Sequence, residues 1–361
     1  MNTIDNYFVQ FVGDELIVSG KQFPLGQITT EILNWDDAPF EELRIRVEEF
    51  SFASDMFFNL KSKSVAIELQ EKLNGIFEII LSFPPYCDLD MDMNLLHNFF
   101  FYLSQDEEQW QEAMTERTMG HELLRGFVQK INELPEQLIE FRRQVSYMLD
   151  KYFEDLHSRT KKDYGAAFNR YYRDRSSTGF MPYAGVPFEQ SFPAHVSFVP
   201  LETEDGIVVA EEMNFGELPA FFYTDFYRGM IHGNLPRRCH NCGRYFLLTS
   251  GYDIRYCSNI APGETEKTCR KVGAHVKEQQ KHEAMAKTPE GREYNRTYRR
   301  LQGRMRGGKI TRDEWNAQVA EAQELLDKAQ RGELSEQELQ SAFNAIGGDK
   351  RKWTKREESE A

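Results

Sequence analysis

Four cysteines, Cys239, Cys242, Cys257 and Cys269, fall within a thirty-one-residue window of a 361-residue chain that holds one other cysteine, Cys87. Thiolates are soft ligands, and four of them converging on one point make the tetrahedral shell that Zn²⁺ prefers. The first pair is spaced Cys-x2-Cys and followed by Gly243, which relieves the tight backbone behind the second ligand. With no carboxylate in the set, the expected chemistry is that of one structural zinc ion in a closed site. Eleven residues separate Cys257 from Cys269, where a symmetric ribbon would repeat Cys-x2-Cys, so His240 and His275 stand as alternative fourth ligands. Disulfides are the competing use of these thiols. The start, Met1-Asn-Thr-Ile-Asp-Asn6, has neither the basic nor the apolar stretch of a secretory signal, which points to a reducing cytoplasm and favours metal. Cys87, after Pro84-Pro85-Tyr86, is expected to be a small buried apolar residue.

Other chemistries fail on residue type. Asp88-x-Asp90-x-Asp92 begins like a calcium loop, but Met93 stands at the glycine position and Phe99 at the bidentate glutamate position. These acids read instead as the start of a helix. Gly303-x4-Gly308-Lys309 begins like a phosphate loop, yet Ile310 replaces the hydroxyl that reaches magnesium. No paired nucleophile and base and no glycine-rich nucleotide loop is found, so the chain is not expected to be an enzyme. His232, His240, His275 and His282 lie near the cysteines and are expected to flank the site without acting as bases.

A second constellation follows the cysteines. Thr288-Pro289 opens a helix on which Tyr294, Tyr298, Leu301 and Met305 form one stripe and Arg292, Arg296, Arg299, Arg300 and Arg304 another. Guanidinium groups pair bidentately with phosphate, and tyrosine rings can stack on bases. With Arg270 and Lys271 after the last cysteine, these arginines are the candidate contacts to DNA or RNA; an ordinary solvated helix is the competing reading.

The charge pattern bears on this choice. Net charge is −14, but residues 1–236 carry 19 Lys and Arg against 39 Asp and Glu, while residues 237–312 carry 18 against 7. A basic segment in an acidic chain suits an anionic partner, or its own acidic N-terminal domain.

The elements that must position these groups are mostly helical. Short apolar runs broken by Gly13, Gly20 and Pro24 predict small strands at the start. From about residue 39 to 174 the spacing is helical: Leu123, Phe127, Ile131 and Leu134 lie on one side of Pro135, and Leu138, Phe141, Val145, Leu149 and Phe153 on the other. β-like runs at Val196–Val199 and Ile207–Ala210 precede an aromatic helix over Leu218–His232, and Gly233–Pro236 reads as a hinge. Capping-box signatures at Thr311–Glu314 and Ser335–Glu338 predict two last helices before a basic tail, Lys350–Arg356. The fold class expected is mainly α (α+β). It comprises an acidic helical domain over 1–234 with a few short strands, a small four-cysteine, zinc-ribbon-like module over 235–285, and a basic helical extension over 286–361. No apolar stretch approaches the roughly 20 residues of a membrane span.

Residues 216–314 carry further motifs: Gly233 to Cys239, Cys242 to Phe246, Tyr256 to Asn259, Lys267 to Gly273 and Gly308 to Thr311. In these the stretch resembles a bacterial family catalogued as a domain of unknown function, which implies a shared fold and metal module but brings no activity. More loosely it is similar to the CGNR zinc finger, which ends helical bacterial proteins regarded as transcriptional regulators, although Cys269-Arg-Lys-Val272 stands where Cys-Gly-Asn-Arg would be. The function expected is a cytoplasmic, zinc-containing, nucleic-acid-binding protein with a regulatory role. The alternative is a protein-interaction adaptor whose zinc module is purely structural.

Overall fold

Tyr7, Val9 and Phe11 are buried while Phe8 between them is exposed, the period of two that a strand with one covered face requires. In the computed structural model, which describes residues 2–177, 194–203 and 206–346, this alternation forms β1 (Tyr7–Val12). β2 (Glu15–Val18) and β3 (Lys21–Pro24) continue it as an antiparallel meander. The other side of β1 is taken by β5 (Gly206–Phe215), with Tyr7 opposite Phe215 and Phe11 opposite Glu211. β4 (Ala194–Thr203) completes the order β3-β2-β1-β5-β4. The two short runs expected before the aromatic helix are therefore full strands in a sheet with the N-terminal meander.

Between β3 and β4 the chain forms α1 (Gln27–Leu33), α2 (Asp37–Leu60), α3 (Lys63–Ile80), α4 (Met93–Gln105), α5 (Glu107–Met114), α6 (Met119–Met148) and α7 (Lys161–Ser177). Asp92, from the acidic run, caps α4 by accepting from the Leu95 backbone N–H. Pro135 does not divide α6, because Ile131 and Leu134 before it and Leu138 and Phe141 after it are in phase and all buried. Leu123 departs from the expected stripe: it is 68% exposed, and Leu124 takes the core position. Cys87 also departs from expectation. It is exposed and donates to the Asp88 carboxylate at 3.3 Å, since the short helical turn Tyr86–Asp88 directs Tyr86 inward instead.

α8 (Leu218–His232) is the aromatic helix, and its rings are core. Phe221 meets Tyr7 and Phe215 edge-on at 6.0 and 5.5 Å, which explains aromatic density without any cofactor. At Gly229 a Cβ would stand 3.1 Å from backbone atoms of Gly26 and Leu25, so α8 and the start of α1 touch backbone to backbone. α8 ends at Gly233 with φ 97° and runs directly into β6 (Leu235–Arg238). Asn234, Leu235, Pro236 and Arg237 are buried, so the stretch read as a hinge is packed backbone.

By backbone packing the chain divides into two compact units, Met1–Cys257 and Ser258–Ala361. The second holds α9 (Cys269–Lys287), α10 (Pro289–Arg306), α11 (Arg312–Gln330) and α12 (Glu336–Ala345). Both capping boxes form, at Thr311 with Glu314 and at Ser335 with Glu338. Its core is Tyr294, Leu301, Ala322, Leu326, Leu339, Phe343 and Ile346. The fold is thus mainly helical with a small antiparallel sheet, and the basic tail Lys350–Arg356 lies outside the described residues. Among the described residues, no helix is long and apolar enough to cross a membrane.

Candidate metal centre

β6 pairs with β7 (Tyr245–Leu248) in an antiparallel hairpin, Arg238 opposite Tyr245. The ladder continues one step further, Cys239 N–H donating to the Arg244 carbonyl at 2.8 Å, so the Cys-x2-Cys sequence is the hairpin's tip. Gly243 takes φ 75° there and donates to the Cys239 carbonyl at 2.9 Å. A residue with a Cβ would be strained in that conformation. His240 N–H donates to the Arg255 carbonyl at 2.9 Å, which draws Cys257 alongside the tip. The Cys257 N–H then points at Cys239 Sγ, 3.4 Å away.

Cys269 arrives by a different route. After Cys257 the chain loops out and closes on itself through the antiparallel bridge of Ile260 with Thr268, with Ala261 N–H donating to the Lys267 carbonyl. That closure is what the eleven-residue spacer does. It returns Cys269 with its N–H bonded to the Asn259 carbonyl at 2.8 Å, and Cys269 then begins α9. A helix N-terminus carries partial positive charge, a favourable place for a thiolate.

The four sulfur atoms all lie within 4.8 Å of one another, with Cys239, Cys257 and Cys269 buried. Cys242 and Cys257 are 3.7 Å apart at sulfur. A disulfide would need about 2.05 Å, whereas the edge of a tetrahedron with metal–sulfur bonds of about 2.3 Å is roughly 3.8 Å. Burial pushes the Cys239 thiol up, but backbone N–H groups of Cys257, Cys242 and Asn241 directed at it outweigh that and lower it to about 7. A site that already favours thiolate fits a metal ion. The four cysteines could therefore hold one metal ion. His240 is not among them: its Nε2 is paired with Glu154 at 2.6 Å, and His275 is exposed on α9.

The hairpin is fastened to the rest of the first unit by groups that the sequence reading did not single out. Asn34, the residue after α1, accepts from the Tyr245 N–H and donates to its carbonyl, at 2.6 and 2.8 Å. Arg237 is 2% exposed and donates to Asp253 at 2.6 Å, to the Ile254 carbonyl at 2.8 Å and to Glu154 at 3.3 Å. Glu154 follows a π-helical turn, Leu149–Phe153, that continues α6. Arg159, 1% exposed, lies beside them with its Nε 3.6 Å from Asp253 and a bond to the Glu154 carbonyl. Burial and then the charge of Arg237 hold the Arg159 guanidinium below its ordinary range. Burial would raise the Asp253 carboxyl, but bonds from Arg237 and Arg255 bring it down to about 2. Two buried cations and two carboxylates thus fix the backbone just before Cys239 and just before Cys257. A signal was present: Arg237 stands in Leu235-Pro-Arg-Arg-Cys239, where a charge directly follows two apolar residues of a short strand.

The structure separates the candidate nucleic-acid contacts. Arg270 and Lys271 lie exposed in the first turn of α9, and Arg292, Arg296 and Arg299 lie exposed on one face of α10. Arg300 is committed elsewhere, donating to the Phe343 and Ile346 carbonyls at 2.5 and 3.0 Å, and Arg304 is half-buried. The tyrosines face inward. Tyr294 packs against Phe343, and Tyr298 meets Trp315 at 5.8 Å, so base stacking by this stripe is not available.

These features define a helical protein with a small antiparallel sheet and a four-cysteine site of metal-binding type. Residues 189–345, which hold all four cysteines and the arginine helix, match the model of a family of unknown function (DUF6076). No curated protein and no solved structure matches the chain. These comparisons do not show the looser likeness to the CGNR zinc finger.

Proposed function

We propose that the four cysteines hold one Zn²⁺ as a structural ion and that the chain is a cytoplasmic regulatory protein that binds nucleic acid through α10. The observation that carries this reading is the exposed face of Arg292, Arg296 and Arg299, spaced four and three residues apart. Among the described residues, the ion pair on this face is a long one, Arg296 with Glu293 at 3.8 Å. Seven residues at 1.5 Å rise spread the three over about 10 Å of helix axis, a row of guanidinium groups for a phosphate backbone. Arg270 and Lys271 add charge in the turn after the last cysteine. Since the tyrosines pack inward, contact is to phosphate and not to bases, so affinity is salt-dependent and carries little sequence preference. Four thiolates around one ion leave no coordination position for substrate, and catalysis forms no part of this reading.

Metal analysis of the purified full chain is expected to give about one zinc per chain, and Cys257→Ser to reduce both metal content and thermal stability. Full metal content in Cys257→Ser would remove that residue from the site. For nucleic acid, the full chain is titrated by fluorescence anisotropy against random duplex DNA and single-stranded RNA across a salt series. Replacing Arg292, Arg296 and Arg299 together with alanine is expected to flatten the salt slope by about 2.7 if each contacts one phosphate of a duplex. An unchanged slope would take α10 out of the interface. The inward tyrosines also favour a second reading, since an arginine face without stacking rings suits an acidic protein surface equally. A partner that co-purifies after nuclease treatment and is lost in the triple variant would establish that adaptor reading instead.

A further inference from the structure

The first unit contains a cavity of about 470 Å³, within the range of small-ligand pockets, that neither the metal centre nor the arginine helix uses. Its walls are apolar: Leu73 and Phe77 come from α3, Leu96 and Phe99 from α4, and Leu124 and Phe127 from α6. α4 breaks between two of these lining residues, Leu96 and Phe99. Asn98 leaves helical geometry, with φ −128° and ψ 15°, and so separates Leu95 and Leu96 from Phe99 and Phe100. Phe99 meets Phe127 at 5.7 Å, which props α4 against α6.

Among the described residues, the charged side chains lining the cavity are all of one sign: Asp5, Asp92 and Glu112, with no Lys, Arg or His. Each is held in place by a short-range donor. Asp92 receives the Leu95 N–H at 2.9 Å, Glu112 the Gly120 N–H at 3.1 Å, and Asp5 the Thr3 hydroxyl at 3.0 Å. Lys130, outside the lining, reaches only to 4.0 Å from Asp5. A carboxylate offers about four acceptor sites, so all three retain capacity for a further donor. Leu123 and Leu95, both exposed, add apolar surface to the lining, which explains why Leu123 interrupts the polar side of α6.

We propose that this cavity binds a small amphiphile with an apolar body and a protonated amine, the body among the phenylalanines and the amine against the carboxylates. A fatty carboxylate of the same length would meet three like charges and be rejected. The site lies within the first unit and does not depend on the reading of α10.

The test uses the full chain and the neutral fluorophore N-phenyl-1-naphthylamine, displaced by dodecylamine or by dodecanoate, each below its micellar concentration, at pH 7. The expected result is enhanced probe fluorescence, with displacement by the amine at least about ten-fold tighter than by the carboxylate. Glu112→Gln should narrow that ratio, and Leu96→Trp, which fills the cavity, should abolish probe binding. No probe binding, equal displacement by the two amphiphiles, or binding retained by folded Leu96→Trp would overturn the proposal. Because the comparison of the two amphiphiles uses the unmodified protein, it stands even if a variant fails to fold.

Discussion

Asp225→Ala is expected to cost on the order of 4 kcal/mol of stability in urea unfolding, although the residue is far in sequence from everything it holds. α1 begins at Gly26 with φ 86° and has no side-chain cap of its own. Asp225, fully buried on α8, supplies one: it accepts from the Gly26 N–H at 2.7 Å, the Thr29 N–H at 2.8 Å and the Thr29 hydroxyl at 2.8 Å. Alanine would strand two buried N–H groups at about 1 to 3 kcal/mol each and leave a small void. Burial raises the Asp225 carboxyl to about 6 in spite of these donors. A folded value above the unfolded one means that this group's contribution is fully present below about pH 4 and is lost as pH rises through 6. The difference in stability between the wild type and Asp225→Asn should therefore change across about pH 4 to 7 by up to roughly 3 kcal/mol, the asparagine variant lacking that titration. A pH-independent difference would show that Asp225 titrates alike in folded and unfolded chains.

Arg237→Ala is expected to act on both the fold and the metal. Removing one partner of a buried charge network costs about 3 to 5 kcal/mol, and the lower end applies here because Arg159 and Arg255 still face Asp253. The segment Asp253–Cys257 would lose its anchor beside the Cys239 tip, and metal retention against a chelator is expected to weaken about ten-fold. The variant should also be less acid-sensitive, Arg255 keeping part of the depression of the Asp253 carboxyl. Asp253, held at about 2, contributes stability above its unfolded value near 4, and that contribution disappears as pH falls toward 2. Unfolding at pH 7 and pH 3, with metal release followed by a chromogenic chelator, checks all three. Unaltered metal retention would make the network a support of the first unit alone.

What could be read from the chain was whatever local spacing encodes. The cysteine cluster, the capping boxes at Thr311 and Ser335, the Thr288-Pro289 helix start and the aromatic helix all depend on residues within a short stretch of one another, and all form. Local spacing failed where a distant partner decides. Asn34 is an unexceptional residue after a short helix until Tyr245 pairs with it, 211 positions away. Asp225 sits among aromatics with no hint of Gly26, 199 positions earlier. The arginine helix shows the same limit within one element. Its two stripes were legible from period alone, but which faces solvent is set by α11 and α12: Trp315 and Phe343 take the tyrosines, and the end of α12 takes Arg300.

The pairing of β1 with β5 has a consequence for how the protein is made. Residues 7–11 are synthesised well before their partners, Phe215 for Tyr7 and Glu211 for Phe11, which follow 208 and 200 positions later. At about 5 to 20 residues per second, the first strand waits roughly 10 to 40 seconds for its second neighbour. During that interval β2 can cover one edge of β1, while the other presents unsatisfied backbone beside Val9 and Phe11. For a nascent chain, the hazard of wrong association therefore lies at β1, long before the four clustered cysteines have been joined to it.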